Sequence, residues 1–79
     1  MVDIIIVGRF SHLTKNGNSK YIVNVFKYND CGNVFLDDRQ YYKDIGRITK
    51  KGLSIYKSDI VKIKNIYIEQ GCSVQVLYV

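Results

Sequence analysis

Proline, alanine and tryptophan are absent from this 79-residue chain, and glutamate and histidine each occur once. Helices favour alanine and glutamate, so the scarcity of both argues against a mostly helical protein. One histidine and two cysteines in no clustered spacing give no zinc motif, and we expect neither a metal nor another cofactor. No apolar run approaches the roughly 18 residues of a transmembrane helix, so we expect no membrane association.

Residues that favour β-strands are abundant instead. Isoleucine and valine supply 20 residues, and tyrosine and phenylalanine supply ten more. Such side chains fit the pleated surface of a sheet, so the composition predicts a mostly β fold. A chain this short buries only about 60% of the surface that its unfolded form exposes, which leaves room for one small domain spanning residues 1–79.

The N-terminal sequence MVDIIIVGRF lacks a basic leader, so we expect a cytoplasmic protein. Cys31 and Cys72 each stand beside a glycine in a predicted turn, and we expect two thiols rather than a disulfide. Enrichment in isoleucine, lysine, asparagine and tyrosine without alanine is typical of AT-rich coding sequence. This favours a low-GC bacterium, one of its phages or another virus as the source, and hence a phage or viral accessory protein.

Asn16-Gly17 is the strongest hairpin signal in the chain, because both residue types tolerate a positive φ. It predicts a turn between a central strand at 2–10 and a second strand at 20–28. Gly8 indicates a bulge or a close neighbour within the first strand. The core face of the second strand is predicted to be that of Val23 and Val25.

The middle of the chain allows two interpretations. After a turn at 29–33 and a short strand at Val34–Leu36, residues 38–51 fit a helix with Gly52 as its C-terminal cap. The same region also fits a hairpin in which DIGRIT and LSIYK are joined by the lysine-rich turn KKG. Gly46 costs the helix about 1 kcal/mol relative to alanine, so neither interpretation is preferred.

Residues 59–69, DIVKIKNIYIE, alternate between apolar and polar side chains and predict a strand. Val61 and Ile63 would face inward, while Lys62 and Lys64 would face outward. The alternation changes parity near Asn65, which predicts a β-bulge there. A final strand at 72–79 follows the QG turn.

The sequence predicts a small barrel of five or six short antiparallel strands, one of them bulged. One short helix is possible near 38–51. The helical variant matches an oligonucleotide-binding (OB-like) barrel, and the all-β variant an SH3-like barrel.

We expect no enzymatic activity. The adjacent candidates for nucleophile and base are Ser11 and His12, but neighbours on a strand point to opposite faces. Asp37 and Asp38 are consecutive and rarely converge, and a helix N-terminus explains both carboxylates. No glycine-rich phosphate loop is present.

A basic window at 46–65 is the one feature that indicates a function. It holds six basic side chains against a single acid, Asp59, and it nets +5, the charge of the whole chain. Lysines on a strand and a turn, with tyrosines beside them, suit phosphates and unpaired bases. The predicted binding residues are Arg47, Lys50, Lys51, Tyr56, Lys57, Lys62, Lys64 and Tyr67.

The leading hypothesis is a small basic module that binds nucleic acid, DNA or RNA, with single strands preferred and low sequence specificity. The alternative is a small inhibitor or adaptor whose basic, tyrosine-rich face docks on an acidic host protein. A third interpretation requires no ligand, because lysine commonly occupies exposed strand faces and edges. An exposed final strand also allows a homodimer that continues the sheet.

Overall fold

The fold is known from a computed structural model, which describes residues 3–28 and 44–79. Five strands and a 13-residue helix follow one another in this part of the chain: β1 (Ile4–Leu13), β2 (Ser19–Lys27), β3 (Arg47–Thr49), β4 (Gly52–Tyr56), α1 (Lys57–Glu69) and β5 (Val74–Tyr78). The prediction of a small, mostly β fold is confirmed.

The strands form one mixed sheet in the order β3-β4-β2-β1-β5. Neighbouring strands are antiparallel except β1 and β5, which pair in parallel. The prediction of a wholly antiparallel sheet is therefore wrong at β5, because α1 carries the chain across the sheet before β5 begins. Within the described residues β3 and β5 lie at opposite edges and the sheet is not closed, so the predicted barrel is not confirmed.

The predicted hairpin at Asn16-Gly17 is confirmed. Gly17 has a φ of 81°, and its N–H donates to the carbonyl of Thr14 at 2.9 Å. The Thr14 N–H donates in turn to the carbonyl of Asn18 at 2.9 Å, which closes the loop. A glycine is needed here because a side chain rarely adopts such a φ. The turn fixes the register between β1 and β2.

The core lies between the sheet and α1. Val23 is buried and Val25 packs against the core, as predicted for the second strand. The fully buried side chains, from three strands and the helix, are Ile4, Ile6, Val23, Ile55, Ile60 and Ile63. At Gly8 a Cβ atom would meet Ile60 Cδ1 and Tyr78 Cδ1, each at 3.4 Å, so the neighbours of this glycine are the helix and β5.

The segment predicted as a bulged strand at 59–69 is the helix α1, so that prediction is wrong. Its buried residues are Ile60, Ile63 and Tyr67, spaced by three and four positions as one helix face requires. The N–H of Tyr56, the N-cap, donates to the Asp59 carboxylate at 3.2 Å and so anchors the first turn. The parity change near Asn65 reflects the 3.6-residue helical period rather than a bulge.

The segment after the predicted second strand is described only in part. Val34–Leu36, Cys31 and residues 38–43 lie outside the described residues. Asp44 and Ile45 are helical, but β3 and β4 form an antiparallel hairpin in which Thr49 pairs with Gly52. The hairpin interpretation is therefore confirmed for Arg47–Thr49 and Gly52–Tyr56, whereas Asp44 and Ile45, which it assigned to the first strand, are helical. Cys72 is buried in the core and forms no disulfide with any described residue.

A pair of substitutions distinguishes the helix from the predicted strand. Ile63 is fully buried whereas Val61 is 51% exposed, although a strand would turn both side chains inward. We expect Ile63→Ala to lower the free energy of unfolding by about 2–5 kcal/mol, because it leaves a cavity. Val61→Ala should change it by less than about 0.5 kcal/mol. Urea denaturation measures both, and equal losses would contradict the helical packing.

Candidate functional site

The sheet has two faces, one covered by α1 and one, the open face, on which no described helix packs. Residues directly opposite each other on neighbouring strands share a face. The pairing register places Arg47 opposite Ser54, Ser54 opposite Ile22, and Ile22 opposite Arg9. These four residues form a row across the open face, which we call the arginine row. Its two ends lie three strand spacings apart, about 14 Å.

A cation and an aromatic ring lie together beside the arginine row. Lys20 pairs with Tyr56 across β2 and β4, and the Lys20 Nζ lies 4.1 Å from the centre of the Tyr56 ring. This is cation–π geometry, in which the ammonium is attracted to the face of the ring. Tyr56 remains 39% exposed. The open face therefore presents a third cation next to an accessible aromatic side chain.

A groove of about 520 Å³ adjoins the arginine row on the other side. Its walls combine apolar side chains with polar and cationic ones: Val7, Arg9, Phe10, Ser11, Ile22, Asn24 and Lys51. The Asn24 side-chain amide donates to the carbonyl of Lys51 at 3.3 Å, which ties the β3–β4 turn to β2. Lys51 is thereby held at the groove as a fourth cation.

Positive charge dominates this face. Among the residues that the structure describes, the acidic ones are Asp3, Asp44, Asp59 and Glu69. Asp59 and Glu69 belong to α1 on the opposite face, and the Asp3 carboxylate accepts a hydrogen bond from the Ser73 N–H at the start of the sheet. None of the four lies in the arginine row or borders the groove. The open face is thus suited to an anionic ligand.

The predicted binding residues divide between two surfaces. Arg47 and Tyr56 lie on the open face and Lys51 at its groove, with exposed Lys50 in the adjoining turn. The remaining four residues of the prediction belong to the helix.

Lys62 and Lys64 were predicted to leave one strand together, but on α1 they lie about 200° apart around the helix axis. Lys62 forms an ion pair with Asp59 at 3.5 Å, and the Lys57 Nζ lies 5.2 Å from the centre of the Tyr78 ring. Tyr67 is only 3% exposed, so its ring offers no surface on which a base stacks.

Arg9 and Lys20 were missed because they are distant in sequence from the basic window. The signal for Arg9 was available in part, since the Asn16-Gly17 hairpin already places β1 beside β2. The pairing of β2 with β4 was not predictable once residues 59–69 were taken as a strand. Only that pairing brings Arg9 and Lys20 to the same face as Arg47.

Ser11 and His12 do interact, contrary to the expectation for strand neighbours. The β1–β2 register shifts between Phe10 and His12, and this irregularity allows Ser11 Oγ and His12 Nδ1 to approach to 2.9 Å. Both residues are exposed. No acidic side chain hydrogen-bonds the His12 ring among the described residues, so this part of the chain supplies no third group that would orient a catalytic base. Nor do three potential metal ligands cluster anywhere in residues 3–28 and 44–79.

Comparisons with protein-family models, with curated proteins and with solved structures found no match. Among the described residues, no helix has the length and apolar character needed to cross a lipid bilayer.

The hairpin that carries Arg47, Lys51 and Tyr56 depends on Gly52. Its φ of 142° is strained for any side chain, and an added Cβ atom would lie 2.7 Å from the Val23 carbonyl oxygen. We expect Gly52→Ala to cost about 3 kcal/mol or more, from strain and steric overlap together.

Gly17→Ala is the matched control for this prediction. Gly17 also has a positive φ, but an added Cβ atom would meet nothing within 4 Å. Its cost should be limited to about 1–2 kcal/mol of backbone strain. Thermal and urea unfolding compare the two variants. Similar losses would show that the close approach of β4 to β2 is not required.

Proposed function

We propose that this protein binds single-stranded nucleic acid, with low sequence specificity, on the open face of its sheet. The observation that carries the proposal is the arginine row. Together with Lys20 and Lys51 it gives the open face four cations, of which Arg9 and Lys51 line a groove and Lys20 lies over an exposed tyrosine. Single-strand binders combine a positively charged groove for the backbone with aromatic side chains on which bases stack.

The composition of the row supports phosphate as the ligand. Lysine outnumbers arginine nine to three in the chain, yet arginines stand at both ends of the row. A guanidinium group donates two parallel hydrogen bonds to one phosphate, whereas an ammonium acts as a point charge. Ser54 and Asn24 add hydrogen-bonding groups between the arginines. The face can thus hold a phosphate backbone at more than one point.

Apolar surface on the same face supports unpaired bases. Val7 and Ile22 line the groove, and Phe26 is 47% exposed where it pairs with Ile5. Tyr56 is the aromatic residue nearest to the cations on which a base could stack. The sequence had predicted this stacking for Tyr56 and Tyr67 together, and the proposal assigns it to Tyr56 alone. Bases in a duplex are stacked on each other and cannot use these surfaces.

The position of α1 favours single strands over a duplex. A protein that reads base pairs in the major groove of a DNA duplex needs an element, commonly a helix, that projects into that groove. Here α1 packs on the far side of the sheet, with Ile60 and Ile63 buried against it. The open face is a shallow surface that extends about 14 Å from Arg47 to Arg9. Such a surface suits a flexible nucleic-acid strand that lies across it.

A protein partner is the second candidate. Leu77 is 40% exposed on the open face opposite Val7 of β1, the strand that carries Arg9, and a mixture of apolar and basic residues also suits an acidic protein surface. This is the inhibitor or adaptor hypothesis. It differs from nucleic-acid binding in that it predicts no affinity for oligonucleotides.

The first binding prediction compares two double substitutions that remove equal charge. The double variant Arg9→Gln/Arg47→Gln should bind a labelled oligothymidylate more weakly than the wild type. Each phosphate contact that it loses should reduce the slope of log affinity against log salt concentration by about 0.7. Lys62→Gln with Lys64→Gln removes the same charge from α1 and should leave the slope unchanged. Fluorescence anisotropy at several salt concentrations measures both variants.

Equal weakening in the two variants would show that net charge, and not the open face, governs binding. Flat curves for the wild-type chain at low salt would contradict the proposed function and leave the acidic protein partner. Tighter binding of a duplex of the same length would contradict the preference for single strands. Circular dichroism of each variant confirms that the fold is retained.

The second binding prediction concerns stacking. Tyr56→Leu keeps an apolar side chain but removes the ring, and we expect it to cost about 1–3 kcal/mol of binding free energy. Tyr56→Phe retains the ring and should bind within about twofold of the wild type, a difference of about 0.4 kcal/mol. If the bound strand quenches tyrosine fluorescence in the wild type and this quenching is lost in both variants, a base of the strand lies at Tyr56. Equal binding by the leucine and phenylalanine variants would argue against stacking.

A further inference from the structure

The two edges of the sheet are built differently. The β3 edge has three residues, includes Arg47 and is followed at once by Lys50 and Lys51. Short length and positive charge are the usual protections of an edge strand against pairing with another chain. The β5 edge has five residues, VQVLY, none of them charged or proline. It therefore carries none of these protections.

The backbone of β5 alternates between facing β1 and facing outward. The Ser73 carbonyl accepts the N–H groups of Asp3 and Ile4, and the Val79 N–H donates to the carbonyl of Gly8. Odd-numbered residues of this strand therefore point their backbone groups at β1. The intervening residues point theirs away from the sheet. Three N–H groups and three carbonyls are presented outward, at Val74, Val76 and Tyr78.

We propose that β5 pairs with β5 of a second copy of this chain, antiparallel, around a two-fold axis at Val76. In that register Val76 lies opposite Val76 of the second copy, and Val74 lies opposite Tyr78. All the outward N–H groups then meet outward carbonyls, which gives six hydrogen bonds across the axis. The edge is thus complementary to itself, as a two-fold interface requires. This proposal does not depend on nucleic-acid binding.

Side chains on both faces are compatible with the pairing. Gln75 and Leu77 lie on the open face and would stand opposite each other, while Val74 and Tyr78 would do so on the helix face. Leu77 and Tyr78 are 40% and 48% exposed, so both have surface to bury. No like charges meet, since β5 has none. Pairing through one strand of five residues buries little surface, which implies a weak dimer whose population depends on concentration.

Hydrogen exchange tests the interface without a mutation. At high concentration we expect the sedimentation mass to double and the amides of Val74, Val76 and Tyr78 to become protected. These amides should lose protection on dilution, whereas those of Gln75, Leu77 and Val79, which face β1, should stay protected throughout. A chain that remains monomeric at millimolar concentration would overturn the proposal. So would a dimer in which the outward amides still exchange rapidly.

Val76→Pro removes one outward donor and places a ring where the second copy would approach, yet it breaks no hydrogen bond to β1. We expect this variant to be monomeric with an unchanged circular dichroism spectrum. Val76→Thr keeps the backbone groups and should dimerise like the wild type. Dimerisation of a folded proline variant would overturn the proposal. If the proline variant unfolds, exchange of the wild-type amides decides the question.

Discussion

The packing of one helix on one face of the sheet is the constraint on which the described structure depends. Ile60 and Ile63 of α1 are fully buried against Ile4 and Ile6 of β1, the strand between β2 and β5. Gly8 permits the close approach, because a larger residue there would press on Ile60. A single helix can cover only one side of a sheet. The side away from α1 is consequently where charged and polar residues lie among apolar ones.

Local signals predicted the first half of the described fold well. Asn16-Gly17 indicated a hairpin because glycine readily takes the positive φ that Gly17 adopts in this turn. The core face of β2 followed from the alternation of its side chains, with Val23 inward and Asn24 outward. Such features are encoded within a few residues, and distant parts of the chain do not alter them.

The helix at Lys57–Glu69 could not be recognised in this way because its signals conflict. Its isoleucines and valine favour strands by propensity, and residues 61–64 imitate the alternation of a strand. The decisive interactions are burial of Ile60, Ile63 and Tyr67 against the sheet, and tertiary packing outweighs propensities of a few tenths of a kcal/mol per residue. The Asp59 carboxylate at the third helical position was a sequence signal of a helix start, but the residue at the N-cap, Tyr56, is not a usual one.

The same error explains why the candidate site was predicted only in part. Treating 46–65 as one surface assumed that residues near in sequence share a face. In the structure Arg47 and Lys51 stay with the sheet while Lys62 and Lys64 leave it on α1. The residues that complete the open face, Arg9 and Lys20, come from strands formed more than 25 residues earlier. Charge clustering in a sequence therefore does not say which basic side chains share a face.

The two proposals are linked through geometry and charge. A two-fold axis that relates antiparallel edge strands stands perpendicular to the sheet, so pairing through β5 would place both open faces on one side and both helices on the other. The two Arg9 residues would lie near the centre of the joined sheet and the two Arg47 residues at its ends. Each copy carries a net charge of +5, so repulsion between the copies weakens the dimer, and a bound anion reduces that repulsion. A polyanion that crosses the joined face would therefore bind the dimer more tightly than the monomer, and its binding would strengthen dimerisation by the same factor.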